Sequence, residues 1–263
     1  MSGKDYIIPS LGGRLGNQMF MIAHAYAQSL KQNRELKISR HDLRYEGHEY
    51  DTNIFRKFQF IPNFESKDKS AIVYGGYFQS EKHFEEYSDE IIEKYSPSPS
   101  FISTVEEVFP MITNRDKIIT VVNVRRGDYL MFPDYHPTVS EEYIHSAIKL
   151  IPDTDQYLVA SDDLDWCKAK LKFDKPVTYL QGWKSHEQLW IMSMCHHFII
   201  SNSSFSWWAA YLSTYKNKMV VAPKTWFGPK FSGGWEDMYC KDWIIHPTYF
   251  DNGKIYPGKR KRV

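Results

Sequence analysis

Short apolar runs alternate with amphipathic segments along the chain. The apolar runs predict β-strands at 6–9, 36–39, 71–74, 117–124, 156–160, 177–180, 198–200 and 219–222, the last being the final strand expected. The amphipathic segments predict helices at 17–31, 80–94, 140–150, 163–171, 187–195 and 205–214. Because continuous apolar strands alternate with helices, we expect an α/β fold whose parallel sheets are covered on both faces.

The clearest break in this pattern is the sequence Ser-Pro-Ser-Pro-Ser at 96–100. Alternating proline and serine favours extended backbone over helix. We therefore predict two domains, with residues 1–110 in the first and 111–263 in the second. The alternative is a surface loop within one domain. Segment 40–70 is polar and irregular apart from a short amphipathic piece at 53–60.

Composition excludes several classes of protein. Hydrophobic residues make up 42% of the chain and charged residues 25%, which is typical of a soluble globular protein and not of a disordered chain or coiled coil. The chain has 33 Lys and Arg against 32 Asp and Glu, a net charge of +1. This charge is too small to attract nucleic acid by long-range electrostatics. Aromatic residues reach 16%, so part of the core must be aromatic, and other rings are available to line a cleft.

The three cysteines, Cys167, Cys195 and Cys240, are too few and too scattered for a disulfide framework or a zinc cage. We expect free thiols in a reducing compartment. The chain has neither a signal-peptide pattern nor an apolar run of about 18–20 residues. We therefore expect a cytoplasmic protein. The basic run at 259–262 is either solvated or attracted to an anionic membrane surface, which would make the protein peripheral to a membrane.

Ligands of open parallel sheets bind at the carboxyl ends of the strands, so the residues after each strand are the candidates for chemistry. The first strand is followed by Gly-Gly-Arg-Leu-Gly-Asn-Gln at 12–18, directly before a helix. Glycines allow close approach of a ligand, and a helix N-terminus attracts anions. The segment matches neither a dinucleotide fingerprint nor a P-loop, and a plain tight turn is the alternative.

The strand at 117–124 ends in Asn-Val-Arg-Arg-Gly-Asp-Tyr at 123–129. The planar guanidinium groups of Arg125 and Arg126 suit a diphosphate because each can make bidentate contacts. Gly127 lets the backbone turn. Asp128 either pairs with one arginine or serves as a base. A purely structural Arg–Asp pair is the alternative reading.

Two further strand ends carry polar groups. Asp162 and Asp163 follow the strand at 156–160, where a carboxylate can accept hydrogen bonds from guanine or ribose, or cap the next helix. The sequence Asp163-Leu-Asp165 mimics a metal-binding DxD pattern, but its second aspartate falls along the helix, so we predict no metal there. The hydroxyl-rich segment 201–206 precedes a helix and offers Ser203 and Ser204 to a phosphate, with capping alone as the alternative.

Taken together, arginines, carboxylates and a hydroxyl-capped helix end gather at one edge of one parallel sheet. This combination predicts a site that holds a nucleotide diphosphate without metal. The histidines show no metal-ligand spacing. Five segments also resemble, in order and spacing, the motifs of the α-1,2-fucosyltransferases, glycosyltransferase family eleven: 13–20, 76–82, 124–129, 161–163 and 202–212. The resemblance covers about residues 6 to 245.

The resemblance implies a GT-B fold, in which two Rossmann-like domains face a cleft. It also implies inverting, metal-independent transfer of fucose from GDP-β-L-fucose, with no cofactor, to a hydroxyl that is often the 2-OH of galactose. The partners are then a sugar nucleotide and a glycan acceptor, either an oligosaccharide or a lipid-linked glycan. The second domain binds the donor, through residues at the positions of the family motifs. Those that match are Arg125, Arg126, Asp162, Asp163, Ser203, Ser204 and Phe205, and Asn123 is a further donor-binding candidate beside them.

By the same resemblance, Arg125 and Asp128 are the candidate catalytic residues. The first domain lines the acceptor side of the cleft with Gly13, Arg14, Gly16, Asn17, Gln18, Tyr77, Gln79, Glu81 and Lys82. One departure concerns Asn123, since the family usually has histidine there, and an amide cannot take a proton at neutral pH. Two alternatives therefore stay open. One is a transferase for another GDP-sugar or another acceptor hydroxyl, and the other is a non-catalytic glycan- or nucleotide-binding protein.

Overall fold

The computed structural model describes residues 5–44, 47–64, 69–114, 116–248 and 250. The chain divides into two compact units, residues 1–98 and 99–263. The predicted boundary, between residues 110 and 111, lies further along the chain. The helix that starts at Pro99 belongs to the second unit, where Phe101 packs against Trp183 and Trp190 with ring centroids 6.2 and 5.1 Å apart. Proline is tolerated in a first helical turn, so Pro99 begins a helix.

The first unit contains five strands and three helices within its described residues. Its strands are β1 (Tyr6–Pro9), β2 (Glu35–Leu36), β3 (Ile38–Ser39), β4 (Phe60–Ile61) and β5 (Ala71–Tyr74), and its helices are α1 (Leu15–Lys31), α2 (Gly47–Thr52) and α3 (Ser88–Tyr95). A three-stranded parallel sheet has the order β2-β1-β5, and β3 pairs with β4 in a second parallel sheet. The predicted strand at 36–39 is thus divided between two sheets, on either side of Lys37.

The helix predicted in this unit at 80–94 was wrong in its first half. The helix expected at 80–94 is instead a pair of 3-10 turns, Glu81–His83 and Glu85–Tyr87, followed by α3. Phe84 separates the two turns, because its backbone is not helical (φ −151°, ψ 11°) and its side chain is buried. The amphipathic piece at 53–60 is a turn followed by the start of β4, while the helix in this region, α2, ends at Thr52.

The second unit is built on one six-stranded sheet. Its elements are α4 (Pro99–Val108), α5 (Pro110–Thr113), β6 (Ile119–Val124), α6 (Glu141–Ile148), β7 (Gln156–Ser161), α7 (Leu164–Lys170), β8 (Val177–Tyr179), α8 (Ser185–Ser193), β9 (His197–Ile199), α9 (Ser204–Leu212), β10 (Val220–Pro223) and β11 (Ile244–His246). All strands are parallel, in the order β11-β10-β9-β6-β7-β8. This confirms the expected α/β class. The expected final strand, β10, is followed by one more.

Local sequence explains how the central elements form. Every residue of β6 is buried, and its run of isoleucine, valine and threonine favours a strand packed on both faces. Ser140 caps α6 by accepting a hydrogen bond from the Tyr143 amide, and Asp163 and Ser203 cap α7 and α9 in the same way. Each cap therefore fixes the residue at which its helix starts, and α7 and α9 follow closely after β7 and β9.

The core of the second unit includes a large share of the aromatic excess. Trp207, Trp208 and Trp226 are fully buried, and the Trp207 indole donates to the Met238 carbonyl at 2.6 Å. These rings therefore pack the fold and do not face a ligand. The three cysteines are free thiols, as expected, and the structure shows that all three are buried. Over the described residues, no helix is both long enough and apolar enough to cross a bilayer.

Candidate functional site

The order of the strands in the second unit defines where a ligand would sit. From β6 the chain moves outward through β7 and β8 and then returns to pair β9 on the other side of β6, continuing to β10 and β11. The connections therefore leave β6 and β9 in opposite directions. A crevice opens at the carboxyl ends of two such strands, and it is the usual ligand site of open α/β sheets. Residues 125–129 and 200–204 follow these two strands.

Arg125 lies at this point and is held by two carboxylates. Its Nη1 is 2.7 Å from Asp162 Oδ2, and its Nη2 forms an ion pair with Asp128. The guanidinium carbon is 5.3 Å from the ring centroid of Tyr129. A guanidinium has five N–H donors, so two carboxylate contacts fix its plane and leave donors for a ligand. Asp128, predicted as a base or as an orienting group, thus lies where it orients Arg125.

Arg126 is held separately. Its Nε donates to Asp163 Oδ2 at 3.0 Å, and its guanidinium carbon lies 4.2 Å from the ring centroid of Trp166. Its backbone N–H donates to Asp162 Oδ1 at 2.8 Å. Asp163 also caps α7 by accepting from the Trp166 amide at 3.1 Å. Asp163 therefore both caps α7 and binds Arg126. Asp162 connects the loop after β6 to the end of β7.

Gly127 makes this arrangement sterically possible. A Cβ at this position would overlap Asp162 Oδ2 and lie 3.1 Å from its Cγ. A residue with a side chain would therefore displace the carboxylate that holds Arg125. The requirement for glycine here is one of space.

The N-terminus of α9 forms the other side of the site. Ser203 is buried at the N-cap, where its Oγ accepts from the Phe205 amide at 3.3 Å, while Ser204 and Phe205 are half-buried in the first turn. The Tyr129 hydroxyl donates to the Asn202 carbonyl at 3.2 Å, which joins this turn to the loop that carries Arg125. Backbone N–H groups at a helix N-terminus favour an anion.

Asn202 is a residue that the sequence reasoning did not single out. Its buried amide donates to the carbonyls of Pro137 and Trp226, both at 2.9 Å, and so ties two loops to the end of β9. Its Oδ1 is buried without a hydrogen-bond partner among the described residues. Its place in the Asn-Ser-Ser motif was the one available signal.

His136 was also missed. Its ring stacks on Tyr129, with centroids 4.5 Å apart, and burial lowers its pKa, while Asp128 and Arg125 act on the pKa in opposite directions. The imidazole is therefore neutral at neutral pH and lies beside the charged group. The local sequence does not predict this contact, because it depends on how the loop after β6 folds to bring His136 onto Tyr129.

Asn123, expected to contact the donor, is buried between strands. Its Nδ2 donates to the Ala160 carbonyl at 3.2 Å, and its Oδ1 accepts from Ser201 Oγ at 3.5 Å. The side chain therefore connects the ends of β6, β7 and β9. In this position it supports the loops that carry the site and does not reach into the crevice.

The first unit brings together part of its own predicted set. The Gln79 amide donates to Asn17 Oδ1 at 2.6 Å, which links segment 76–82 to the start of α1. Gly13 has a left-handed backbone (φ +70°) and lies so close to Asn17 that a Cβ would overlap that side chain. Tyr77 is exposed by 52%. Glycine is therefore required at position 13 for both conformation and space.

The other predicted residues of this unit are placed differently. Gln18 is completely buried, and its amide donates to the carbonyls of Gly13 and Arg44 at 3.2 and 3.0 Å. It therefore stabilises the glycine turn from inside the fold, and because it is buried it cannot contact a ligand at the surface. Gly16 is buried inside α1, whereas Arg14 is exposed at its N-cap. Glu81 and Lys82 lie in a 3-10 turn, half-buried and exposed respectively.

A metal site was not expected at the Asp163-Leu-Asp165 sequence. Asp163 is used by Arg126 and the α7 cap, and Asp165 is exposed in the first turn of α7. Within the described ranges, no group of three His, Cys, Asp or Glu side chains is arranged to hold a metal ion. Cys167 lies behind the site, where burial raises the pKa of its thiol to about 11.

Comparison with known sequences places this geometry in a family. Residues 30–246 match the family model described as Glycosyl transferase family 11. An alpha-1,2-colitosyltransferase of Escherichia coli is 28% identical, covering 84% of this chain and 92% of that protein. The O-antigen biosynthesis glycosyltransferase WbnK of Escherichia coli is 26% identical, covering 79% and 77%. Galactoside alpha-(1,2)-fucosyltransferase 1 of Leontocebus fuscicollis is 27% identical over 38% of this chain and 30% of its own.

Solved structures share the fold at low sequence identity. NodZ alpha-1,6-fucosyltransferase co-crystallised with GDP has a TM-score of 0.55 and 11% identity, over 78% of this chain and 92% of that one. A mutant of Arabidopsis thaliana FUT1 in complex with GDP has a TM-score of 0.52 and 13% identity, over 83% and 70%. The likeness confirms the expected GT-B fold.

Proposed function

Because the chain belongs to glycosyl transferase family 11, we propose that it transfers L-fucose from GDP-β-L-fucose to a hydroxyl of a glycan acceptor. The acceptor oxygen bonds to the anomeric carbon as the bond from that carbon to GDP breaks on the opposite face, so the configuration at that carbon inverts, and the hydroxyl proton is released to solvent. The 2-OH of a terminal galactose is the acceptor group we favour. Relatives named alpha-1,2-colitosyltransferase and galactoside alpha-(1,2)-fucosyltransferase support that position.

The observation that carries the proposal is the fixed arginine pair at the crevice between β6 and β9. As the bond to GDP breaks, negative charge grows on the diphosphate. Arg125, Arg126 and the N-terminus of α9 are oriented before the substrate arrives, so they stabilise this charge without reorganising. Ser203 and Ser204 lie at that helix end and complete the proposed phosphate contacts.

We assign the carboxylates mainly to orientation. Asp128 and Asp162 hold Arg125, and Asp163 holds Arg126. A carboxylate has about four lone-pair positions, so Asp162 or Asp163 can also accept a hydrogen bond from guanine or ribose. The acceptor contacts that we propose within the first unit are Asn17, Gln79 and the exposed ring of Tyr77.

We propose that transfer needs no metal ion, since the arginines and helix amides occupy the role that a cation plays in other nucleotide-sugar sites. The test is transfer in excess EDTA compared with transfer in Mn²⁺. Equal rates support the proposal. Loss of transfer in EDTA with recovery in Mn²⁺ overturns the proposal and would make Asp163 and Asp165 candidate metal ligands.

The transfer reaction itself is tested by incubating the protein with GDP-fucose and galactose-terminated oligosaccharides. Mass spectrometry detects the product, and NMR assigns its linkage and anomeric configuration. An α-1,2-linked fucose is expected. Saturable GDP-fucose binding with neither transfer nor donor hydrolysis would instead identify a non-catalytic binding protein.

A second donor deserves the same test because the 28% identical relative is named a colitosyltransferase. Colitose is the 3-deoxy analogue of L-fucose, so the two donors differ by one hydroxyl. A site that hydrogen-bonds this hydroxyl rejects the deoxy sugar by roughly 10⁴-fold, whereas an apolar site discriminates weakly. The ratio of kcat/KM for the two GDP-sugars therefore decides the donor.

A further inference from the structure

Tyr129 contacts both sides of the proposed phosphate site. The centroid of its ring lies 5.3 Å from the guanidinium carbon of Arg125. Its hydroxyl donates to the carbonyl of Asn202 at 3.2 Å, and Asn202 is the residue directly before the N-cap of α9, Ser203. One side chain of the second unit therefore connects the fixed arginine to the helix N-terminus.

His136 supports the ring of Tyr129 by stacking on it. The two rings are parallel to within 16°, and their centroids are 4.5 Å apart. The imidazole is held in turn by Tyr135, which meets it edge-on at 4.6 Å, and by Phe227, whose centroid lies 5.7 Å away. Stacked and edge-on contacts are the arrangements that aromatic pairs prefer. The Tyr129 ring is therefore held by packing as well as through its hydroxyl.

Asn202 joins these contacts into a closed set. Its carbonyl accepts from Tyr129, and its side-chain amide donates to the carbonyl of Pro137 at 2.9 Å. Pro137 directly follows His136, whose ring returns to Tyr129 through the stack. The loop after β6 and the turn before α9 are therefore bound to each other at two places, and Tyr129 lies between them.

The imidazole suits a place beside a cation. Burial lowers the pKa of His136, while Asp128 raises that pKa and Arg125 lowers it. The ring is therefore neutral at neutral pH and does not repel the guanidinium. Its Nδ1 is buried without a hydrogen-bond partner among the described residues, so the stack, and not a bond at this atom, holds the ring on Tyr129.

From this closed set of contacts we propose that Tyr129 and His136 are positioning residues, which fix the spacing between Arg125 and the N-terminus of α9 and make the site selective for a diphosphate over a monophosphate. A diphosphate can engage both elements at once, whereas a monophosphate engages one. Fixed spacing avoids the cost of ordering these groups when the nucleotide binds. The inference rests on the proposed function, since it concerns the same diphosphate site.

The test is calorimetric titration with GDP and with GMP in EDTA. We expect the wild-type protein to bind GDP at least about tenfold more tightly than GMP, because a second charged group is engaged. His136→Ala should weaken GDP binding about fivefold, as expected for the loss of a stacked aromatic pair. GMP binding by this variant should stay within about twofold of the wild type, because a monophosphate needs no fixed spacing.

Two further variants separate the rings from their polar atoms. Tyr129→Phe keeps the ring beside Arg125 but loses the hydrogen bond to Asn202, so it should lower the ratio of GDP to GMP affinity as His136→Ala does. His136→Phe keeps a ring that can stack and loses no hydrogen bond at Nδ1, so it should keep the wild-type ratio. Since Tyr129→Phe keeps the packed ring, it tests the proposal even if His136→Ala fails to fold.

His196→Ala is the matched control. The ring of His196 is also half-buried and also contacts a tyrosine, Tyr215, at 4.7 Å. It lies directly before β9, at the opposite end of that strand from the proposed site. Removing this imidazole should therefore leave the affinities for both nucleotides unchanged.

Three results would overturn the proposal. Equal losses of GDP and GMP affinity in His136→Ala and Tyr129→Phe would show a purely structural role. Unchanged GDP affinity in both variants would show that the spacing does not depend on them. A lowered ratio in His136→Phe would show that the imidazole acts through its nitrogen atoms and not through stacking.

Failure of the proposed function has a different signature. Wild-type protein that binds no GDP would contradict the proposed function and this inference together, before any variant is compared. Wild-type protein that binds GDP but transfers no fucose would contradict the proposed function alone. In that case the ratio of GDP to GMP affinity still decides whether Tyr129 and His136 position the site.

Discussion

Arg125 and Asp162 form an ion pair of 2.7 Å across the carboxyl ends of neighbouring strands β6 and β7. The pair fixes a cation at the point where the sheet connections diverge. Asp162 also accepts the backbone N–H of Arg126, so one carboxylate sets the position of both arginines. The proposed phosphate site therefore depends on an aspartate that need not touch phosphate itself.

Replacing Arg125 should affect chemistry more than folding. We expect Arg125→Ala to lower kcat by about 10²–10³-fold, because a preorganised donor to the developing charge is lost. Arg125→Lys should recover little, since an ammonium cannot bridge Asp128 and Asp162 in a fixed plane. Steady-state kinetics with a thermal melt provides the measurement. Arg34→Ala, at an arginine paired with Asp5 in the first unit, is the control. Near-normal turnover of Arg125→Ala would exclude the phosphate role.

The space at Gly127 gives a sharper test of geometry. Gly127→Ala places a methyl group against Asp162 Oδ2, so that carboxylate must move away from Arg125. We expect kcat to fall about 10²-fold, as displacements of 1 Å commonly cause. Gly75→Ala has no atom within 4 Å of the new Cβ and should be silent in the same assay. Wild-type activity in Gly127→Ala would show that the ion pair is dispensable.

Asp128→Asn separates the two roles considered for this residue. The amide oxygen can still accept from Arg125, so an orienting residue should lose about tenfold or less in kcat. Loss of a general base typically costs 10²–10⁴-fold and removes the acidic limb of the pH–rate profile. The pH profile of kcat for the variant is the measurement. We expect a modest loss with the acidic limb retained.

Much of this site follows from the order of residues in the chain. The carboxyl ends of parallel strands meet at one edge of a sheet, so Arg125, Asp162 and Ser203 were expected together once their strands were identified. The capping role of Asp163 could also be predicted, because an aspartate directly before a helix can accept a hydrogen bond from the first turn.

Other features depend on long-range packing that a local pattern does not carry. β11 is a three-residue strand whose pairing with β10 needs the whole segment between them to fold back. Phe84 interrupts an otherwise helical pattern because its ring is buried. The sequence predicted Asn123 and Gln18 as site residues and did not single out His136. The positions of all three side chains depend on residues that are distant in the sequence, so a local pattern could not predict them.

Acid should destabilise the protein through His24. Burial, followed by the charges of nearby His83 and Lys31, lowers the pKa of His24 to about 4 from an ordinary value of 6.5. Between these pH values His24 is protonated in the unfolded chain but not in the folded chain. The free energy of unfolding therefore falls as the pH drops from about 6.5 to 4. The loss through this group is at most about 3 kcal/mol, and it is complete only below pH 4.

Chemical denaturation at a series of pH values measures this effect. His24→Phe keeps an aromatic ring against Phe78, which stacks on His24 at 3.8 Å, and should flatten the acid slope. His41→Phe, at an exposed histidine, is the control and should keep the wild-type slope. An unchanged slope in His24→Phe would contradict the assignment.

The central claim is that the arginine pair at the β6–β9 crevice binds the donor diphosphate, and calorimetric titration with GDP in EDTA tests it most directly. Wild-type protein should bind GDP, and Arg125→Ala should bind it at least about tenfold more weakly, as expected for a lost charged hydrogen bond. Guanosine should bind both proteins equally, since it lacks the diphosphate. Equal GDP affinity of the two proteins would contradict the account.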